Sequence, residues 1–346
     1  MVSLVRFIRL LLFPFSIVYG LITYIRNVLY DLNIFNSYTI PFKSICVGNL
    51  SVGGTGKTPH VMFLINKLIG EKSVAVLSRG YGRKTKGFRY VTTSDNALNV
   101  GDEPLSYAFR FTNKIIVSVC ESRVFGVKKL LNEQKLDLII LDDAFQHRRI
   151  KAGMNILLTE YASPYFADIM LPTGNLREYK RGVNRADILI ITKCPDNIDL
   201  EEKERFIQRS EFDATKVFFS IIKYGLPNSF TNVNYCENAT ILLVTGIANP
   251  MPLVKHVTKK NVIESLFFPD HHSFSLMDIQ KIHTKFDGIP SQEKLILTTE
   301  KDYMRLKDRL GDLELEKYPW FYLPIEISID REEEFINEIK DYVRAI

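Results

Sequence analysis

Apolar residues after Pro41 occur in short runs that alternate with longer amphipathic or polar stretches. Most runs are apolar throughout rather than at every second position, which is typical of strands buried on both faces of a sheet. Helical patterns lie between them, as in Thr58–Ile69, Ser122–Gln134 and the charged Leu200–Arg209. This order predicts an α/β fold, a parallel sheet covered by helices on both faces. The predicted strands are Lys43–Val47, Val74–Ser78, Ile115–Val119, Asp137–Leu141, Asn155–Thr159, Asp187–Thr192, Val217–Ile221, Ile241–Thr245 and Leu295–Thr299.

The pattern divides the chain into three predicted parts. Residues 1–30 form an apolar N-terminal helix, residues 31–196 the sheet core, and residues 197–346 a second, smaller α/β lobe that completes the cleft. Charge density rises where the third part begins, although the strand rhythm continues past that point. Two irregular stretches, residues 80–99 and 161–184, are rich in Arg, Tyr, Gly and Pro. Long loops of this kind in a compact α/β protein are usually functional or mobile.

The N-terminal helix is the most apolar segment of the chain. The 16 residues from Leu10 to Ile25 carry no charge, and Arg9 and Arg26 frame them. A full membrane span needs about 20 apolar residues, and no A-x-A cleavage site follows that would mark a signal peptide. The pattern favours a helix lying in a membrane interface, or a tilted marginal anchor, over a buried helix of the main fold. The remaining chain then lies in the cytosol.

Composition narrows the classes of partner. Of the 346 residues, 46% are hydrophobic and 25% charged, as in folded globular proteins. The net charge of +5 is small and interleaved along the chain, which argues against a nucleic-acid partner. The first thirty residues contain arginines and no acid, a balance that suits an anionic membrane surface. The four cysteines form no CxxC pair, so neither structural zinc nor a disulfide framework is expected. The oligomeric state stays open.

A glycine-rich turn follows the first predicted strand and opens a helix. Its glycines let backbone N–H groups converge on phosphate oxygens, Lys57 reaches the β- and γ-phosphates, and Thr58 can bind Mg²⁺. The usual P-loop pattern has Gly where Ser51 stands. The sequence therefore predicts a P-loop NTPase-type fold that binds ATP and Mg²⁺. The predicted nucleotide-binding residues are Ser51, Val52, Gly53, Gly54, Thr55, Gly56, Lys57 and Thr58.

A second element supports the phosphate site. The apolar run Leu138–Leu141 ends in Asp142 and Asp143, which places two carboxylates at the carboxyl edge of a strand. In P-loop proteins an acid at this place holds Mg²⁺. Paired Asp residues also begin ordinary turns. With the P-loop upstream, we predict a metal site formed by Thr58, Asp142 and Asp143.

The features of a guanine-nucleotide switch are incomplete. Such switches carry DxxG after the second key strand. Counted from Asp142 or Asp143, the position of the Gly is occupied by Phe145 or Gln146. They also read guanine with N/TKxD, whereas Thr192 and Lys193 are followed by an Asp one place too late. The switch interpretation is weaker on both counts.

Several motifs in order resemble the tetraacyldisaccharide 4′-kinase family, the lipid A 4′-kinases of Gram-negative bacteria. The resemblance extends from about residue 40 to residue 305, and the family's apolar N-terminal helix matches residues 1–30. Ala144 departs from the family's usual Gly. The matching stretches are Gly48–Pro59, Ser78–Arg83, Gly101–Pro104, Leu141–Arg148, Leu171–Glu178, Thr192–Lys193, Asp270–Phe274 and Thr299–Asp302.

The resemblance implies ATP-dependent phosphorylation of the 4′-hydroxyl of an acylated glucosamine disaccharide 1-phosphate. The reaction would take place at the cytoplasmic face of the bacterial inner membrane. The family places an Asp–His pair at its active site, which makes Asp102 the candidate base and His271 its partner, with His272 as the less favoured choice. Lys57 and Arg123 complete the predicted catalytic set, because Arg123 begins the helix after a predicted strand and can reach the γ-phosphate.

Two other functions stay open on the sequence alone. The first is a regulatory P-loop ATPase or GTPase docked on the membrane by its N-terminal helix. Hydrolysis that needs no acceptor, or a preference for guanine, would favour it. The second is a metal-trafficking protein that uses His271 and His272, which is weak because no cysteine accompanies them.

Overall fold

Two large sheets and one short ribbon organise the part of the chain that the computed structural model describes, residues 9–231 and 233–344. Every run predicted as a strand is a strand. The strands are β1 (Tyr38–Thr39), β2 (Ser44–Asn49), β3 (Val74–Ser78), β4 (Arg89–Val91), β5 (Ile116–Val119), β6 (Leu138–Asp142), β7 (Ile150–Lys151), β8 (Met154–Glu160), β9 (Ile188–Thr192), β10 (Val217–Tyr224), β11 (Asn228–Ser229), β12 (Thr240–Thr245), β13 (Ile263–Phe267), β14 (Lys294–Thr299), β15 (Trp320–Leu323) and β16 (Ile325–Ile329).

The larger sheet has the order β16-β10-β9-β8-β2-β6-β3-β5-β4. Its interior strands are parallel, and the edge strands β16 and β4 pair antiparallel with their neighbours. Strand β2 lies near the middle, where Ile45 pairs with Ile140 on one side and with Met154 on the other. All six residues of β2 are buried, which explains its uninterrupted apolar pattern. The predicted α/β fold is confirmed.

Helices cover both faces of this sheet. The helices are α1 (Phe13–Asp31), α2 (Lys57–Leu68), α3 (Ala97–Val100), α4 (Asp102–Arg110), α5 (Arg123–Glu133), α6 (Leu200–Ser210), α7 (Met251–Val257), α8 (Leu276–Asp287), α9 (Glu300–Leu306), α10 (Asp312–Lys317) and α11 (Glu332–Arg344). One face packs against α2, α4 and the C-terminal helix α11, and the other against α5 and the segment between β8 and β9.

The second sheet has the order β11-β15-β14-β12-β13 and its own apolar clusters around Trp320 and Phe321. Strands β10 and β16 and helix α11 also lie downstream of residue 197, yet they complete the first sheet and its helical layer. The chain therefore leaves the first sheet after β10 and returns to it at β16. This interleaving brings α9 of the second lobe against α4 of the first, where Arg110 forms an ion pair with Glu300.

Helix α1 lies along the loop that precedes β9. Its buried side is a narrow stripe of small residues, Ser16, Gly20 and Thr23. A methyl group at Gly20 would lie 2.6 Å from the Tyr179 hydroxyl, so a larger residue here would require the Tyr179 side chain to shift. The opposite side exposes Phe15, Ile17, Val18, Leu21 and Ile22. Among residues 9–231 and 233–344, no helix combines the length and the apolar character that crossing a membrane requires.

Candidate active site

The phosphate loop connects β2 to α2 at the carboxyl edge of the large sheet. Gly53 and Gly56 have φ angles of +110° and +87°, which L side chains rarely adopt. No heavy atom lies within 4 Å of the place where a Cβ of Gly53 or Gly54 would stand. Helix α2 begins at Lys57, so the loop ends at a helix N-terminus. The backbone therefore forms an open concave loop of the kind that binds phosphate.

Ser51 and Val52 anchor the start of this loop to the segment that precedes β9. Ser51 is buried and forms an isolated antiparallel bridge with Leu176. The Val52 N–H donates to the Asn175 carbonyl at 2.8 Å. The φ angle of Ser51 is not positive, so the position does not require the glycine of the usual pattern. The φ angle of Ala144 is not positive either, because the neighbouring Asp143 takes the left-handed conformation, so this position also does not require glycine.

Lys57 is nearly buried, with 8% of its surface exposed, and its ammonium group lies between two side chains. Nζ is 3.7 Å from Asp143 Oδ1 and donates to Asn49 Oδ1 at 3.5 Å. Both partners follow strand ends that meet at the phosphate loop, since β2 pairs with β6. The lysine is held over the loop without a short, strong ion pair, which leaves its charge available to an anion.

Asp142 and Asp143 follow each other in sequence but have different environments. Asp142 is fully buried at the end of β6. Its Oδ2 accepts from Ser78 Oγ at 3.1 Å, while Oδ1 has no partner among the described residues. Burial and the charge of Asp143 raise the pKa of Asp142 to about 6. An orphaned, buried carboxylate oxygen of this kind fits a bound cation.

Asp143 instead faces two cations. Its backbone is left-handed, with φ +48°, and its carboxylate accepts from the Arg177 guanidinium at 3.2 Å. Burial opposes ionisation, but the charges of Lys57 and Arg177 outweigh it and lower the pKa of Asp143. Asp143 therefore positions Lys57 and Arg177.

Glu103 belongs to the same group of carboxylates, a role that the sequence did not reveal. Burial and then the charges of Asp142 and Asp102 raise the pKa of the Glu103 carboxyl to about 7. The charge of Asp142 opposes ionisation of Glu103, and a nearby cation would favour it. No set of three acidic, His or Cys side chains forms a complete metal cage in residues 9–231 and 233–344. Mg²⁺ commonly takes only one or two carboxylates and completes its shell with water and substrate phosphate.

The structure places Asp102 beside His271. Asp102 is the first residue of α4. His271 comes from the second lobe and has φ +57°, with its backbone N–H bonded to the Gly246 carbonyl at 3.2 Å. His271 Nδ1 is 3.3 Å from Asp102 Oδ2. His272 turns away and contacts Asp278 Oδ2 at 3.0 Å.

Arg305 also contacts Asp102, and the sequence analysis did not identify it. It extends from α9, and its Nε donates to Asp102 Oδ2 at 3.1 Å while a second guanidinium nitrogen contacts the same oxygen. Its Nη1 donates to the fully buried Asp302 at 3.0 Å. Burial opposes ionisation of Asp102, but the hydrogen bond from His271 and the charges of Arg305 and Lys301 hold its pKa well below the usual range. Asp102 is therefore ionised at neutral pH.

Arg123 lies on the other side of the Asp142 carboxylate. It is the first residue of α5 and is buried, with Nη1 donating to the Cys120 carbonyl at 2.8 Å and Nη2 to the Asp142 carbonyl at 3.5 Å. Its Nε has no partner among the described residues. A buried guanidinium with an unused donor is suited to a phosphate oxygen.

A cavity of about 310 Å³ opens next to the Asp102–His271 pair, between the two lobes. Tyr81 and Leu98 line one side and Met304 and Arg305 the other. The ring of Tyr81 lies 5.7 Å from that of His271. The protein thus combines a phosphate loop, a candidate cation site and an ionised carboxylate beside an imidazole that lines a cavity, a set of groups suited to phosphoryl transfer to a hydroxyl group.

Comparisons with known proteins agree with this geometry. Residues 8–344 match the family model described as tetraacyldisaccharide-1-P 4′-kinase. The chain is 42% identical to the tetraacyldisaccharide 4′-kinase of Cytophaga hutchinsonii, covering 96% of this chain and 95% of that protein. It is 43% identical to the enzyme of the same name from Flavobacterium psychrophilum, with 98% of each chain covered.

A solved structure resembles the whole chain as well. The crystal structure of LpxK from Aquifex aeolicus in complex with ATP is 30% identical, with a TM-score of 0.76. The match covers 97% of this chain and 99% of that one. By sequence along nearly its full length and by fold, the chain belongs to the tetraacyldisaccharide-1-P 4′-kinase family.

Proposed function

We propose that this chain transfers the γ-phosphate of ATP to the 4′-hydroxyl of a tetraacylated glucosamine disaccharide 1-phosphate, a step of lipid A biosynthesis. The observation that carries the proposal is the pair formed by the buried Asp102 and His271, which lines a cavity between the two lobes of a protein that also carries a phosphate loop. A kinase needs a proton acceptor for the incoming hydroxyl. A regulatory switch transfers the phosphate to water, so it does not require an acceptor cavity lined by such a pair.

The nucleotide lies on the loop from Ser51 to Thr58. Backbone N–H groups and the N-terminus of α2 receive the phosphates, and Lys57 neutralises their charge. Arg123, at the start of α5, is held beside Asp142 through the Asp142 carbonyl and adds a second positive charge to this part of the site. Because phosphoryl transfer depends mainly on positioning and charge stabilisation, these groups supply most of the catalysis.

Thr58, Asp142 and Glu103 would hold Mg²⁺, with the free Oδ1 of Asp142 as the principal protein oxygen. When bound, the ion neutralises charge on the phosphate oxygens. Asp143 contributes indirectly, since it positions Lys57 and Arg177.

The Asp102–His271 pair receives the proton of the 4′-hydroxyl. The low pKa of Asp102 makes it a weak base by itself, but phosphoryl transfer is loose and the hydroxyl proton leaves late. The adjacent imidazole orients the carboxylate through its Nδ1. Arg305 keeps the carboxylate ionised and fixed for this role.

Helix α1 would lie in the cytoplasmic face of the bacterial inner membrane. Its outward side chains Phe15, Ile17, Val18, Leu21 and Ile22 enter the apolar layer, as in other interfacial helices. An acceptor whose acyl chains remain in the bilayer would then meet the cavity without leaving the membrane.

The test is ADP release by the purified protein with ATP, Mg²⁺ and acceptor lipid in mixed micelles. We expect release only when the acceptor is present, and no activity with GTP alone. ATP or GTP hydrolysis at the same rate without acceptor would favour the regulatory ATPase or GTPase and contradict the proposal.

A further inference from the structure

His60 lies behind the phosphate loop and is not part of the site described above. It is 2% exposed and occupies the first turn of α2, three residues after Lys57. Its ring Nδ1 lies 2.7 Å from the Gly56 carbonyl oxygen, and its Nε2 lies 2.9 Å from Ser220 Oγ. Ser220 is a fully buried residue of β10, whereas Gly56 is a half-buried residue of the phosphate loop.

The contacts define the protonation of the ring. A carbonyl oxygen only accepts hydrogen bonds, so Nδ1 carries the hydrogen and donates to Gly56. Nε2 then has a lone pair and accepts from the Ser220 hydroxyl. The Gly56 carbonyl also accepts from the His60 backbone N–H at 3.2 Å, so one residue holds this oxygen through two donors.

Holding that oxygen orients the next N–H group. The Gly56–Lys57 peptide is trans, and in a planar trans peptide the C=O and the N–H point in opposite directions. The C=O of Gly56 points back toward His60, so the N–H of Lys57 points forward from the helix N-terminus, where it has no intrahelical acceptor. The ring also lies 3.5 Å from the place of a Gly56 Cβ, which packs it directly against the loop.

The preceding peptide is held in the same manner. Thr192 Oγ1, from the end of β9, donates to the Thr55 carbonyl at 2.9 Å. The N–H of Gly56 is thereby also directed to the opposite side. Two consecutive N–H groups at the centre of the loop are thus oriented from behind by side chains of neighbouring elements, which is the geometry of an anion-binding nest.

We infer that His60, held by Ser220, is a positioning residue that orients the Gly56–Lys57 peptide toward the phosphates of the bound nucleotide. The inference rests on the proposed binding of ATP at residues 51–58. His60 itself contacts no phosphate. Without the ring, only the backbone N–H of residue 60 holds the Gly56 carbonyl, so the peptide is fixed less tightly, the loop populates conformations that bind phosphate poorly, and affinity falls with that population.

Three substitutions separate the two hydrogen bonds of the ring. His60→Asn places an amide N–H where Nδ1 lies and retains the bond to Gly56. His60→Gln places its amide nearer to Nε2 and retains the contact with Ser220. His60→Phe fills the space without either bond. His283, a buried histidine of α8 that accepts from Trp320 at 3.2 Å, provides the matched control His283→Phe in the second lobe.

The experiment measures equilibrium binding of ATP, ADP and AMP by calorimetry to the full-length variants. We expect about tenfold weaker binding of ATP and ADP by His60→Phe and His60→Gln, affinity within about threefold of wild type for His60→Asn, and unchanged AMP binding throughout. His283→Phe should lower thermal stability and leave all three affinities unchanged.

Wild-type ATP affinity in His60→Phe, or equal losses for ATP and AMP, would overturn the inference, and so would rescue by His60→Gln rather than His60→Asn. Binding is measured without acceptor lipid, so it is independent of whether the wild-type protein phosphorylates the lipid. A wild-type protein that bound neither ATP nor ADP would contradict the proposed nucleotide site and the inference together.

Discussion

Replacing Arg305 by Met should weaken the Asp102–His271 pair while leaving both of its members in place. The guanidinium makes two contacts with Asp102 Oδ2, one of them at 3.1 Å, and both side chains are nearly buried. Met retains much of the volume and removes the charge. Asp102 then keeps only its hydrogen bond from His271 and the more distant charge of Lys301.

The magnitude follows from the charge removed. An adjacent cation typically lowers a carboxyl pKa by about 1 to 3 units, so the pKa of Asp102 should rise by about that amount in Arg305→Met. In the wild type the folded-state pKa lies below the unfolded value of about 3.9. The resulting stabilisation is therefore present above that pH and is lost as the pH falls. At pH 7 the variant should lose about 1–4 kcal/mol of unfolding free energy, at about 1.4 kcal/mol per pKa unit.

The assay measures urea unfolding from pH 3 to 8. Arg305→Met should be less stable than wild type at neutral pH, and the difference should shrink below about pH 4, where Asp102 is protonated in the unfolded chain. Arg309→Met is the matched control, because Arg309 lines the same cavity but is exposed. An Arg305→Met protein with the stability and pH profile of Arg309→Met would refute the reasoning.

Three further predictions concern the catalytic groups. Lys57→Ala should lower turnover by about 10²-fold or more, because it removes charge stabilisation from the transferring phosphate, and near-normal turnover in a folded variant would remove the lysine from the mechanism. Asp142→Asn should raise the Mg²⁺ concentration required for half-maximal turnover, whereas an unchanged requirement would leave the strand end as an ordinary turn. Asp102→Asn and His271→Ala, which remove groups 3.3 Å apart, should together cost less turnover than the product of their single effects, and multiplicative losses would show that they act independently.

The core strands were predictable from sequence because parallel strands buried on both faces leave uninterrupted apolar runs. Strands β4 and β16 were not predicted, since they lie at the edges of the sheet and are only partly covered. Strand β16 joins the first sheet by pairing with β10 over a long sequence separation, as Ser220 does with Ile329. A sequence pattern carries no signal for such a partner.

The site shows the same division between local and distant information. The residues from Gly53 to Thr58 and the strand end at Asp142 form continuous motifs, so spacing alone identified them. The contact between Arg305 and Asp102 joins residues 203 positions apart. The one signal in the sequence was the place of Arg305 three residues after Asp302, on the same side of a short helix. The family resemblance favoured His271 over His272, and the contact of His271 with Asp102 at 3.3 Å agrees with that choice.

The central claim is that this chain phosphorylates one hydroxyl group of a lipid-linked disaccharide. The most direct measurement is transfer of label from [γ-³²P]ATP to the acceptor, resolved by thin-layer chromatography, with the tetraacylated disaccharide 1-phosphate and its 4′-deoxy analogue compared side by side. The account predicts one labelled lipid with the natural acceptor and none with the analogue. Equal labelling of both lipids, or release of labelled inorganic phosphate with neither lipid labelled, would contradict it.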